Sequence, residues 1–205
     1  MTCRAIAIAG LLATAAAPLG TAQTQLHQAR TQLERCQGGW EVDRRDKVAA
    51  CTAVIDGKQL EGDEIATAFY FRGEALKDMA QWDKAMADLT EAIRLAPDAA
   101  APYAARGDLF SNTDKFDQAI ADFDRAIQLD PQDGYLFRQR GDAYEGKGMH
   151  ARAVADYDEA IRLDPRDDLA LSTRCRLRAI LGQQRDEAAK DCSPAGASGS
   201  GGRRP

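Results

Sequence analysis

The sequence predicts an all-α solenoid of stacked helix-turn-helix units, and three observations carry that prediction. The phrase KAMADLTEAIRLAP at 84–97 recurs as QAIADFDRAIQLDP at 118–131 and as RAVADYDEAIRLDP at 152–165, each 34 residues after the last. Small residues recur at fixed places in the period. A proline closes each phrase: Pro97, Pro131 and Pro165. A fixed period of this length marks units that cannot bury their own faces and must stack on neighbours.

The elements follow in chain order. Residues 1–22 read as a secretory signal peptide. Arg4 supplies the early charge, Ala5 to Leu19 the apolar run, and Gly20-Thr21-Ala22 the small residues before a cut after Ala22. An N-terminal membrane anchor is the other reading, although the run is short for a span of about 20 residues. Residues 23–62 form a degenerate helical hairpin. Three full units then occupy 66–99, 100–133 and 134–167, with a degenerate C-terminal hairpin cap at 168–192. Residues 193–205, SPAGASGSGGRRP, read as a flexible tail.

Within each full unit both halves are helical. The fourth place is aromatic (Phe69, Tyr103, Phe137) and the eighth is Gly73, Gly107 or Gly141. The twentieth is Ala85, Ala119 or Ala153, and the twenty-fourth is Leu89, Phe123 or Tyr157. Gly and Ala remove bulk where two antiparallel helices cross, and the large groups fill the space beside the crossing. The prolines end the second helices, lacking an amide hydrogen and restricting the preceding residue.

This pattern resembles the tetratricopeptide repeat (TPR) family over about 66–167. The resemblance implies a right-handed superhelix of roughly ten helices with a concave wall of first helices. It also implies partner binding on that wall rather than catalysis. Carried over place by place, the candidate partner-binding residues are Tyr70, Glu74, Lys77, Asp108, Asn112, Tyr135, Arg138, Asp142, Glu145 and Arg176. The ninth place is acidic in all three units, at Glu74, Asp108 and Asp142. Such a line suits a basic extended peptide by charge complementarity; an ordinary solvated face is the competing reading. The Lys/Asn arrangement by which some relatives clamp a terminal carboxylate is missing.

Two departures stand out. Phe or Tyr replaces the frequent Trp at the fourth place. Arg occupies the seventh place throughout, as Arg72, Arg106, Arg140 and Arg174. With Asp88, Asp122 and Asp156 at the twenty-third place, these form either inter-helix salt bridges or a ligand-binding Arg row.

The degenerate end units carry cysteine where the full units carry Gly and the bulky group. Cys36 and Cys51 lie in the first, Cys175 and Cys192 in the last. Two disulfides, each stapling its own terminal hairpin, follow from that placement; free buried thiols and a zinc site are the alternatives. An even cysteine set in an exported chain favours disulfides.

The formal net charge of −5 gives no basic surplus for nucleic acid. Only His27 and His150 are available for imidazole chemistry, and His150 reads as a packing residue beside Trp82 and Phe116 in register. No phosphate loop, nucleophile elbow or zinc-protease motif is present. The expectation is a non-catalytic scaffold without cofactor or metal, binding a protein or peptide in a bacterial periplasm or cell envelope. Self-association and an accessory role in an envelope enzyme complex are the alternatives.

Overall fold

The computed structural model describes residues 19–39 and 41–182. Most of the expected leader, Cys192 and the tail lie outside the described residues. The described chain forms α1 (Leu19–Gln37), α2 (Arg44–Gly57), α3 (Asp63–Asp78), α4 (Trp82–Leu95), α5 (Ala100–Ser111), α6 (Phe116–Leu129), α7 (Gly134–Gly146), α8 (His150–Leu163) and α9 (Asp168–Ile180). Sequential helices pack as antiparallel pairs, and the first helices α1, α3, α5 and α7 also touch in succession. The result is a solenoid with one wall of first helices. Helix α1 begins at Leu19, so a cut after Ala22 would remove its first turn. No described helix is long and apolar enough to cross a membrane.

The second helices of the three full units, α4, α6 and α8, stop for one reason. Ala96, Asp130 and Asp164 each precede a proline, which bars them from helical ψ. Their φ/ψ values are −131/75°, −134/84° and −127/95°. The turn inside each full unit is equally uniform. Ala80, Asp114 and Gly148 take left-handed φ values of 56°, 57° and 74°.

The helix crossings explain the recurring glycines. A Cβ at Gly107 would lie 2.9 Å from the Phe123 ring, and one at Gly73 would lie 2.9 Å from Leu89 Cγ. At Gly141 the nearest Tyr157 ring atoms would be 3.2 Å away. The bulky residues pressed into these gaps are fully buried, as are Ala85, Ala119 and Ala153.

The Arg and Asp rows are inter-helix ion pairs. Arg72 Nε donates to Asp88 Oδ2 at 2.7 Å and Nη2 to Oδ1 at 2.8 Å. Arg106 repeats both bonds to Asp122 at 2.7 and 2.8 Å, and Arg140 to Asp156 at 2.8 and 2.6 Å. The remaining Nη1 of each arginine reaches back to the preceding hairpin. Arg72 donates to Thr52, Arg106 to Thr90, Arg140 to Asp124 and Arg174 to Asp158. One side chain therefore ties its own two helices together and ties that pair to its neighbour. Contact with the carboxylates raises the Arg106 and Arg140 pKa values despite partial burial, so both remain cationic.

At the N-terminal end, Cys36 and Cys51 are bonded, with Cα atoms 4.8 Å apart. Both residues are fully buried with Leu33, Val54, Leu60 and Ala68. A loop of 15 residues closed this way contributes about 3 kcal/mol in the chain-entropy model. Cys175 on α9 is also disulfide-bonded. Cys192, its expected partner, lies outside the described residues.

Gly107 provides a direct test of the crossing. Alanine there gains up to about 1 kcal/mol of helix propensity but overpacks Phe123, at a cost of about 1–3 kcal/mol. Gly107→Ala should lower urea stability by about 1 kcal/mol. In that background Phe123→Leu should cost at least about 0.5 kcal/mol less than it does alone. Additive effects of the two substitutions would show that the contact does not limit packing.

Candidate binding groove

Three depressions join along the wall of first helices. A central one of 340 Å³ has Ala101, Ala104 and Ala105 among its lining residues, with Tyr70 and Tyr135 at its sides. Tyr70 is shared with a neighbour of 390 Å³ that includes Leu95, Pro97 and Pro102. On the other side, Asp133 and Tyr135 are shared with a third of 490 Å³, bounded by α7, the α8–α9 turn and the first residues of α9. The small residues of α5 make the central section shallow.

The sequence candidates divide into two groups. Tyr70, Glu74, Asp108 and Tyr135 come together in the central section, and Arg138 lines the third. Lys77 sits between Glu74, at 2.7 Å, and Asp108, at 3.5 Å. Asn112 caps the end of α5 and is exposed. Glu145 and Arg176 form an ion pair at 2.6 Å between α7 and α9. Asp142 accepts the Tyr157 hydroxyl at 2.5 Å.

The ninth-place acids are therefore internally engaged. Asp108 accepts from the Tyr135 hydroxyl at 3.0 Å and from Gln139 Nε2 at 2.8 Å, besides pairing with Lys77. Burial, and then the Asp108 charge, raise the Tyr135 pKa, so its phenol stays protonated and donates. Burial, and then Glu74, raise the Tyr70 pKa. Burial works against the Lys77 ammonium, but Glu74 and Asp108 outweigh it and raise its pKa. Arg138 pairs with Asp167 at 2.9 Å and lies over the Tyr135 ring at 5.2 Å.

The turns between units supply acids that the place-by-place carry-over missed. Asp98, Asp130, Asp133, Asp164, Asp167 and Asp168 all border the groove. Several are set by local structure: Asp133 and Asp167 cap α7 and α9, and Asp130 and Asp164 accept from backbone amides two residues on. Each such bond uses one oxygen and leaves the charge in place. Along these three depressions nine lining residues are acidic and two, Arg138 and Arg166, are basic, a net of −7; a further depression that shares Tyr70 and Glu74 adds Arg44, Lys47 and Asp78. The entire chain carries only −5. The visible signal was the acid that recurs beside each proline, in LAPDAA, LDPQDG and LDPRDD.

His150 opens α8 half-buried, away from these residues. Among the described residues no group of three or more His, Cys, Asp or Glu could hold a metal ion.

Stacked hairpins with a groove across their first helices define a helical-repeat interaction module. The chain belongs to the tetratricopeptide repeat family. The family profile matches residues 70–133 and 104–168. The Arabidopsis OM64 TPR domain is similar at 31% identity, covering 58% of this chain and 98% of that one, with a TM-score of 0.56. MamA from Desulfovibrio magneticus RS-1 shares the fold at 14% identity, covering 82% and 90%, with a TM-score of 0.69. The first TPR of Spaghetti (RPAP3), bound to the HSP90 peptide SRMEEVD, shares the fold at 19% identity, covering 60% and 98%, with a TM-score of 0.58. Comparison with curated proteins gives no match.

Asp142 yields a pH prediction. Burial raises its pKa, opposed by Tyr157 and Arg138 and reinforced by Glu145 and Asp167. A carboxyl with a raised folded-state pKa contributes stability in acid, and that stability is lost as pH rises through the folded pKa. The melting temperature of Asp142→Asn relative to the unsubstituted chain should therefore be higher at pH 7 than at pH 3.5. The side chain is 48% exposed, which keeps the effect below about 1 kcal/mol. An unchanged or reversed difference would contradict this assignment.

Proposed function

We propose that the chain is a non-catalytic scaffold that binds an extended basic segment of a partner protein along the groove. The observation that carries this reading is the concentration of negative charge around a shallow, alanine-lined channel. A channel lined by one sign of charge focuses its field on an approaching ligand. Tyr70 offers an aromatic ring to the Arg or Lys side chains of that ligand, as Tyr135 already does to Arg138. A peptide like SRMEEVD, with three acids and one arginine, is disfavoured by the same field.

An exported compartment, such as a bacterial periplasm, is part of this proposal. It is supported by the leader-like first 22 residues and by cysteines placed to staple the two end units. No catalytic role is assigned, because the titratable groups of the groove are committed to helix caps and inter-unit pairs.

The test uses two fluorescent 12-residue peptides of the same Gly/Ser/Ala background, one with three added arginines and one with three added glutamates. Anisotropy titrations at 50 and 300 mM salt should show preference for the basic peptide, weakened by salt. Ala101→Trp, on an exposed channel position, should weaken binding about 10-fold or more, or about 1.4 kcal/mol. Equal binding of the two peptides, or indifference to Ala101→Trp, would reject the groove. A mass that rises with concentration and is lost in Leu169→Glu would instead favour self-association through α9, where Leu169 and Ile180 are 64% and 57% exposed.

A further inference from the structure

We infer that the chain carries an occupant for its own groove. The segment Ser193–Pro205 docks back into the channel and competes with external partners. This inference rests on the groove reading above and names a regulator of the same site.

Charge is the first argument. The segment contains Arg203 and Arg204 and no acidic residue, so it is +2 where the groove is −7. Its first ten positions, SPAGASGSGG, hold nothing larger than proline. Small residues of that kind can follow the surface from the end of the stack to the groove and carry the two arginines to the acidic turns.

Reach is the second argument. The section of the groove beside Tyr135 is bordered by Asp167, Asp168 and Leu169, at the start of the last described helix. A strand leaving the C-terminal end of the stack need only travel back along α9, whose 13 residues span about 20 Å. The eleven residues 193–203 extend to about 36 Å. Cys175, halfway along α9, is disulfide-bonded. Cys192, directly ahead of the segment, is its expected partner, which would anchor the segment's origin beside that helix.

The consequence is competition. A segment tethered this way has an effective concentration on the order of millimolar. Against a peptide site of ~100 µM affinity it lowers the apparent affinity of an external ligand about 10-fold. A partner richer in arginine displaces it, and rising salt weakens tail and partner together.

The probe is a fluorescent synthetic peptide GASGSGGRRP, titrated into the full chain and into full-length Arg203→Ser/Arg204→Ser. The substituted chain should bind it about 10-fold more tightly, because its own tail no longer competes. A photoreactive benzoylphenylalanine in place of Tyr135 should cross-link within one molecule to 193–205. Mixing isotope-labelled and unlabelled chains separates this product from a link between copies. Equal affinity in the two chains, with no intramolecular cross-link, overturns the tail proposal. If the arginine-containing 12-residue peptide still binds in that case, the groove reading survives. If that peptide also fails with the substituted chain, both readings fall.

Discussion

The structure depends most on the buried pairing of an arginine with an aspartate inside each of the three full units. Among the described residues Asp88, Asp122 and Asp156 are the only charged side chains that are buried, each at 6% exposure. A charge so placed is tolerable only when paired and fully hydrogen-bonded. Both carboxylate oxygens are met by the fork of the guanidinium, the geometry in which Arg pairs most strongly. The arginine stem covers apolar surface while its third nitrogen reaches the preceding hairpin. The pair therefore acts less as glue than as an alignment device. A first helix that rotated or slipped against the second helix of its own hairpin would strand a buried charge.

That constraint sets the groove. Arginine pins each first helix by its seventh place, so the ninth places of successive units fall in line on the wall. Asp108 can then reach Tyr135 and Gln139 of the next unit and Lys77 of the previous one. The ninth-place acids stiffen the wall and, together with the turn acids, give it its charge.

Much of this was legible in the sequence, for a definite reason. The crossing of Gly107 with Phe123 and the pairing of Arg106 with Asp122 both lie within one unit, 16 residues apart in each case. A repeat shows such pairs three times over. Contacts between units are harder to read, because they depend on the stacking angle. Tyr135 looked like a free aromatic on the wall and proves to be a donor to an acid 27 residues away. The acidic line at the ninth place looked open to a ligand and is engaged by its neighbours. The turn acids were visible beside each proline. Only the stacked turns reveal that they share one rim.

The most direct test of the account is a double-mutant cycle at Arg106 and Asp122. Asp122→Leu alone leaves the guanidinium partly buried without its carboxylate and should cost about 3–5 kcal/mol of unfolding free energy. Adding Arg106→Met should restore a large part of that loss, because two apolar groups of similar volume leave no buried charge. That result would show the pair to be a strict mutual requirement. Single substitutions that each cost less than about 0.5 kcal/mol and simply add would mark the ladder as an ordinary surface contact and contradict the account.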